Sequence, residues 1–335
     1  MLTSLWGLIM YFFFSSINFL TISKRNVVVL KNKKVYINTH NKKINNLKIC
    51  LCAICKEENL YIKYFLENYR ELGFDHIYIY DNNNIGGEKF EDVIMEDIKK
   101  GFVTIINFRG HRGPVRGPQM DAYYDCYKRY NIFYDWIAFF DADEYLILNQ
   151  DTSIQRLLIN SRYDECEMIK INWKVFSDNN LLEYEDISPK VRFKEEIKDN
   201  LKLNTVYKVI IRGNLTNYSY RKVNNPHEIF ISKKTCDSNG KIRNGSHINP
   251  PEYKYAILNH YKKTIKEFCL AIKKGDVFFN RNLDEARKYY YFSSFFKYNK
   301  KTKEKVEIFN NEFNTTFQWV NQWVCLLPYL RLIFF

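Results

Sequence analysis

Glycine and proline are scarce, at 12 and 7 in 335 residues, which excludes a collagen-like or linker-rich chain. Charged residues make up 27% against 46% hydrophobic ones, a balance that excludes global disorder. No internal repeat is visible. A chain of this length buries a sizeable core, as one large domain or two ordinary ones. Acidic residues are missing from residues 21–48, where eight basic ones stand: Lys24, Arg25, Lys31, Lys33, Lys34, Lys42, Lys43 and Lys48. No Lys or Arg precedes the apolar run Leu5–Leu20, so the basic start of a cleavable signal peptide is absent. No second close Cys/His pair follows Cys50, Cys52 and Cys55, so these are expected to be buried strand cysteines rather than zinc ligands. Eight cysteines in so long a chain also exclude a disulfide-stapled mini-domain.

What is present begins with charge. The net charge is +13, of which residues 21–48 supply +8 and the rest +5. A basic run beside an apolar one points to a membrane surface, not to nucleic acid. The apolar run carries no charge, and Thr21 and Ile22 extend it toward a full span. Residues 5–22 are therefore expected to form a single membrane anchor or interfacial segment, with a signal sequence or a core helix as alternatives. Because the basic residues follow the run, the domain behind it is expected to face the cytoplasm. Four N-x-S/T sequons, at Asn214, Asn217, Asn244 and Asn314, pull the other way. They matter only for a lumenal domain, in the ER or Golgi of a eukaryote. Aromatics reach 17% in a chain also rich in Asn, Lys and Ile, a codon-bias pattern, so not every ring is taken as a binding group.

Three parts follow: a hydrophobic anchor and basic stem over 1–46, a main domain over 47–300, and an aromatic, apolar tail over 301–335. In the main domain strands alternate with helices. Strands are expected at Lys48–Ile54, His76–Tyr80, Phe102–Phe108 and Trp136–Phe140. Helices are expected at Glu57–Leu72, stopped by Gly73, then at Glu88–Lys100 and Gln119–Tyr130. This order predicts an α/β fold with a mostly parallel sheet, whose ligands bind at the carboxyl ends of the strands. The second half is more mixed. Strands are expected at Met168–Phe176, Val206–Ile211 and Tyr255–Leu258. Helices are expected at Thr264–Lys274, capped by Gly275, and at Leu283–Tyr298.

The strongest chemical signal is Asp141-Ala142-Asp143-Glu144, where the apolar strand ending at Phe140 leaves the sheet. Three carboxylates crowded there repel one another unless a cation or hydrogen bonds compensate. A hard divalent ion would do so, and would also bridge to a diphosphate leaving group. Two enzyme classes place Asp-x-Asp after a buried strand. In haloacid-dehalogenase-like phosphatases Asp141 would be the nucleophile, but that motif lies on the first strand, and here three expected strands precede it. In GT-A glycosyltransferases the pattern follows a nucleotide-binding half, and the order of this chain fits them.

From about Ile49 to Gly275 the chain resembles glycosyltransferase family 92 and its bacterial family 2-like relatives. The resemblance is carried by Cys55-Lys56-Glu57-Glu58, Leu72-Gly73, Tyr78-Ile79-Tyr80-Asp81-Asn82, and Gln119 with Ala122-Tyr123 and Cys126. It continues through Asp135–Leu146, Trp173 with Phe176, and Leu258-Asn259-His260-Tyr261 followed by Lys263-Thr264 and Glu267-Phe268. Two departures stand out. The interval from His260 to Phe268 is one residue short, and Ser177-Asp178-Asn179-Asn180 replaces a glycine-rich acceptor loop.

The resemblance implies a GT-A type, Rossmann-like sheet with flanking helices and a mixed C-terminal acceptor half. It implies a metal-dependent transfer of a hexose from a nucleotide-sugar, UDP-linked, to a glycan or glycolipid hydroxyl, with inversion. Asp81 and Asn82 would contact the nucleoside, with Lys56 and Glu58 in the same pocket and Gln119 on the adjoining helix. Asp141 and Asp143 would hold Mn2+ or Mg2+ with His260 as third ligand, and Asp141 and Lys263 would meet the diphosphate. Arg112 and Arg116 suit phosphate or sugar contacts. Inversion needs a general base at the acceptor hydroxyl, and Asp178 and Glu228 are the candidates. A non-catalytic sugar-nucleotide-binding protein remains a rival, as does the phosphatase.

Overall fold

The computed structural model describes residues 29–30, 33–34, 47–112, 117–197, 202–215, 226–227, 234–274, 285–297 and 299–317. The chain divides into two units, Met1–Asn46 and Leu47–Phe335. In the first, β1 (Val29–Leu30) pairs antiparallel with β2 (Lys33–Lys34). The expected anchor over residues 5–22 lies outside the described residues, as does the apolar run Trp319–Phe335. Among the described residues no helix is long and apolar enough to cross a membrane.

The second unit is built on a nine-stranded sheet. Its first half is β3 (Ile49–Cys55), α1 (Ile62–Glu71), β4 (His76–Asp81), α2 (Glu91–Lys99), β5 (Val103–Asn107), α3 (Pro118–Tyr130) and β6 (Trp136–Phe139). Strands β5, β4, β3 and β6 lie side by side, all parallel. Seven consecutive buried residues make up β3, the mark of a strand covered on both faces. Their alternation splits the core. Ile49, Leu51 and Ala53 pack with Phe65, Leu66 and Tyr69 of α1. Cys50 and Cys52 pack on the other face with Met120, Tyr123, Cys126 and Tyr127 of α3. Cys50, Cys52 and Cys55 are buried free thiols in β3, as expected. Gly73, at φ 87°, follows the end of α1 in the left-handed conformation that suits glycine.

The second half extends the sheet through β9 (Tyr207–Arg212), β8 (Met168–Phe176), β11 (Ala256–Tyr261) and β7 (Glu144–Leu148). Here β9 runs antiparallel to both β6 and β8, while β11 is parallel to β8. The short β10 (Thr235–Asp237) pairs with the start of β8. A disulfide between Cys166 and Cys236, with Cα atoms 5.9 Å apart, ties these two strands together. Two strands, β7 and β10, escape the sequence pattern. A third, β11, runs three residues further than expected, through His260, because β7 and β8 pair with it on either side. Beyond the short helices α4 (Ile154–Leu158) and α5 (Pro189–Arg192), helices α6 (Ile265–Lys274), α7 (Glu285–Phe296) and α8 (Lys303–Phe313) share a separate apolar cluster containing Ile265, Phe292, Phe309 and Phe313. The start of the segment grouped above with the tail, residues 303–317, therefore packs with the main domain.

Candidate active site

Asp141 stands just beyond β6, whose four residues are all buried. Gly117, at φ 83°, and Pro118 open α3, and the i, i+4 spacing of that helix brings Gln119 and Tyr123 to one side. Gln119 Nε2 donates to Asp141 Oδ1 at 2.6 Å, and the Tyr123 hydroxyl donates to the same oxygen at 2.9 Å. Lys208 Nζ, from β9, donates to Asp141 Oδ2 at 2.7 Å and lies 3.9 Å from Glu144 Oε1. Lys208 and Glu144 are fully buried. Burial works against the Lys208 charge, yet Asp141 and Glu144 outweigh it and raise the pKa. Burial pushes the Glu144 carboxyl well above the usual range, against the pull of Lys208. Its Oε2 accepts the Asp141 backbone N–H at 2.8 Å. The crowding of carboxylates expected at this strand end is thus partly met from within, by a lysine that the sequence reading passed over.

Asp143 has different partners. Its Oδ2 lies 3.1 Å from His260 Nε2, and Lys262 Nζ lies 3.4 Å from the same nitrogen. Enclosure by protein disfavours the Asp143 charge, but His260, Lys262 and Lys263 override it and hold the pKa well below the carboxylate range. Burial, followed by Lys262, lowers the His260 pKa, which favours the neutral imidazole that ligates metals. Asp143 and His260, in contact at 3.1 Å, offer one carboxylate oxygen and one imidazole nitrogen, donors of the kind that would hold a divalent ion. Asp141 does not join them in the same way, and among the described residues no group of three or more His, Cys, Asp or Glu gathers as a metal cage.

Beside this pair, Lys263 Nζ bonds to Glu58 Oε1 at 2.8 Å, joining the end of β11 to the loop after β3. Glu58, Tyr61, Asp143, Tyr145, Lys262 and Lys263 line one open pocket. Lys56 is buried at the end of β3. At the end of β4, Asp81 Oδ2 meets an Arg109 guanidinium nitrogen at 2.7 Å, and Asp81 Oδ1 accepts the Asn83 N–H at 3.0 Å. Arg109 also donates to the carbonyls of Asn84 at 3.1 Å and Glu88 at 2.6 Å, so it pins the whole loop after β4. The Asn82 amide donates to the carbonyls of Phe108 and His111, at 3.0 and 2.9 Å. Four parallel strands thus deliver polar groups at their carboxyl ends.

A family model described as glycosyltransferase family 92 matches residues 45–322. The chain belongs to glycosyltransferase family 92. It is 24% identical over 113 residues to a family 92 protein of Ricinus communis, covering 34% of this chain and 19% of that protein. The chain therefore spans about a fifth of the length of that curated relative. Among solved structures it is similar to S. aureus TarS 1-349 in complex with UDP, at 13% identity and TM-score 0.36, covering 75% of this chain and 71% of the other. It is also similar to UDP-glucose pyrophosphorylase complexed with UDP-glucose, at 16% identity and TM-score 0.27, covering 50% and 76%. The curled, mostly parallel sheet with helices on both faces is the GT-A architecture expected of this family.

Within this family 92 domain, one candidate base goes elsewhere. Asp178 is 1% exposed, and Lys305 Nζ from α8 lies 2.8 Å from its Oδ1 and 2.6 Å from its Oδ2. Burial raises its pKa, against Lys305. The buried ammonium of Lys305 thus engages both oxygens of Asp178 and ties the loop after β8 to α8. Arg116 and Glu228 lie outside the described residues. Lys208 and Arg109 are the site residues that motif reading missed. Their only sequence signals are a lone Lys within the apolar run Tyr207–Ile211 and an Arg immediately after a strand.

Proposed function

We propose that this chain transfers a hexose from a nucleotide-sugar, UDP-linked, to a hydroxyl of a glycan or glycolipid, with inversion at the anomeric carbon. The observation that carries the reading is the Asp143–His260 pair, 3.1 Å apart beside the Lys263–Glu58 pair at the carboxyl ends of the sheet. Asp81, held by Arg109, and Lys56 and Glu58 form the nucleoside side of the pocket. Asp143 and His260 would hold Mn2+ or Mg2+, and an imidazole donor favours Mn2+. The ion, when bound, neutralises charge on the departing diphosphate. Lys262 and Lys263 add fixed positive charge on the same side. Of the two base candidates, Glu228 remains, since Asp178 is committed to Lys305. Association with a membrane through residues 5–22 belongs to the same proposal; for the side that the domain faces, the Cys166–Cys236 disulfide favours an oxidising, lumenal compartment over the cytoplasmic face read from charge.

The phosphatase reading loses support because Lys208, Gln119 and Tyr123 engage both oxygens of Asp141, which would have to attack phosphorus. The test is a screen of the full chain for Mn2+-dependent hydrolysis of UDP-, GDP- and other nucleotide-sugars, followed by transfer to glycan and glycolipid acceptors. One active donor with an acceptor product of inverted configuration is expected. Phosphatase activity on simple phosphate esters, with no nucleotide-sugar turned over, would overturn the proposal.

A further inference from the structure

Both carboxylate oxygens of Asp141 are taken by protein donors: Oδ1 by Gln119 at 2.6 Å and Tyr123 at 2.9 Å, Oδ2 by Lys208 at 2.7 Å. Lys208 sits in a strand whose other members from Tyr207 to Ile211 are fully buried and apolar or aromatic. A lone ammonium there is tolerated only with a charge partner. The register of β9 against β6 pairs Val209 with Phe139, so Lys208 comes opposite Phe140, next to the start of the acidic motif. Asp143 differs on each count. Its side chain is 33% exposed against 21% for Asp141, and its near neighbour is an imidazole.

We propose that Lys208 is a cation built into this site, which holds Asp141 as a positioning carboxylate and leaves Asp143 and His260 as the donors for the divalent ion. The inference rests on the metal-assisted transferase reading of the same pocket. For Asp141 to ligate an ion through Oδ2, it would have to release Lys208, stranding a buried ammonium close to a second positive charge. Held as it is, Asp141 keeps its backbone N–H on Glu144 and sets where the chain turns toward Asp143. Lys208 acts through Asp141 and touches no substrate, so its role is positional.

The test follows Mn2+ binding by electron paramagnetic resonance on the full chain, together with thermal unfolding. Asp143→Asn is expected to weaken Mn2+ binding by at least about tenfold. The double variant Asp141→Asn/Lys208→Met removes the charge pair together and is expected to keep Mn2+ binding within about threefold. Its melting loss should be smaller than the sum of the two single variants. Lys208→Met alone leaves Asp141 unclamped and the site more negative. It should melt lower yet bind Mn2+ more tightly, a gain that a purely structural lysine would not produce. If Lys208→Met does not fold, the double variant carries the test. A double variant that loses Mn2+ as fully as Asp143→Asn would make Asp141 a ligand and overturn the proposal. Strictly additive melting losses would remove the clamp itself. A wild-type chain that binds no Mn2+ would sink the metal reading, and the melting coupling would then decide the Lys208–Asp141 clamp on its own.

Discussion

His260 Nε2 lies 3.1 Å from Asp143 Oδ2, although the residues are 117 positions apart in the chain. The contact exists because β11 pairs with β7, placing His260 opposite Glu144, the residue after Asp143. Asp143→Asn and His260→Ala are each expected to lower transfer by about 100-fold or more, with the far-ultraviolet circular dichroism unchanged. Chelation of the wild-type protein should have the same effect, reversed by added Mn2+. Retained turnover in either variant would separate this pair from the chemistry.

Arg109 holds Asp81 at 2.7 Å and binds two carbonyls of the following loop. Its removal loosens the loop after β4, the side proposed to take the nucleoside, and leaves the Asp143–His260 contact in place. Arg109→Ala should raise KM for the nucleotide-sugar about tenfold, equivalent to about 1.4 kcal/mol, with a smaller change in kcat. Steady-state kinetics at saturating acceptor distinguishes this from a general loss of folded enzyme.

Lys305 and Asp178 are 0% and 1% exposed, so removing one leaves the other charge stranded. Lys305→Met is expected to lower stability by about 3–5 kcal/mol. The double variant Lys305→Met/Asp178→Asn should recover most of that loss and keep its turnover. An inactive but stable double variant would return Asp178 to the role of base.

His227 Nδ1 donates to the Tyr207 carbonyl at 2.8 Å, and burial, then Lys208, push its pKa from 6.5 down to about 4. The folded state favours the neutral ring. Above pH 6.5 the ring is neutral in both states and its stability is present in full. As pH falls from 6.5 toward 4, the unfolded chain takes up a proton that the folded chain refuses, and stability is lost, by roughly 3 kcal/mol at the lower end. His227→Asn keeps a donor for Tyr207 and should flatten the dependence of melting temperature on pH across that window. An unaltered slope would assign the acid sensitivity to other groups.

The Cys166–Cys236 disulfide closes a loop of 70 residues that includes Lys208 and His227. Replacing both cysteines with serine should lower stability by about 4 kcal/mol on the chain-entropy account. Denaturant unfolding of the variant beside the oxidised wild type measures it directly. Equal midpoints would mean that the bond is not formed in solution.

The first half of the sheet was legible in sequence because three of its four parallel strands, β3, β4 and β6, are buried along nearly their whole length and bounded by polar loops. Ile49–Cys55, His76–Asp81 and Trp136–Phe139 all fall within a residue or two of their expected limits. The second half was harder to read. Glu144–Leu148 begins with a buried carboxylate that is itself the last residue of the acidic motif, so nothing local marks it as a strand. Its partner is Ala256–Tyr261, more than a hundred residues away, and strand pairing over such distances leaves no periodic trace.

Local order alone determined the alternation of strand and helix, the buried cysteines of β3, and the arrival of Asp141 and Asp143 at the end of β6. Those follow from burial and spacing, which each segment carries in its own residues. Tertiary structure decided how the acidic residues divide. Lys208 comes from β9 to Asp141, His260 comes from β11 to Asp143, and Lys305 comes from α8 to Asp178. Charge pairing in a core depends on which strands lie side by side, and that choice is made by the packing of the whole sheet.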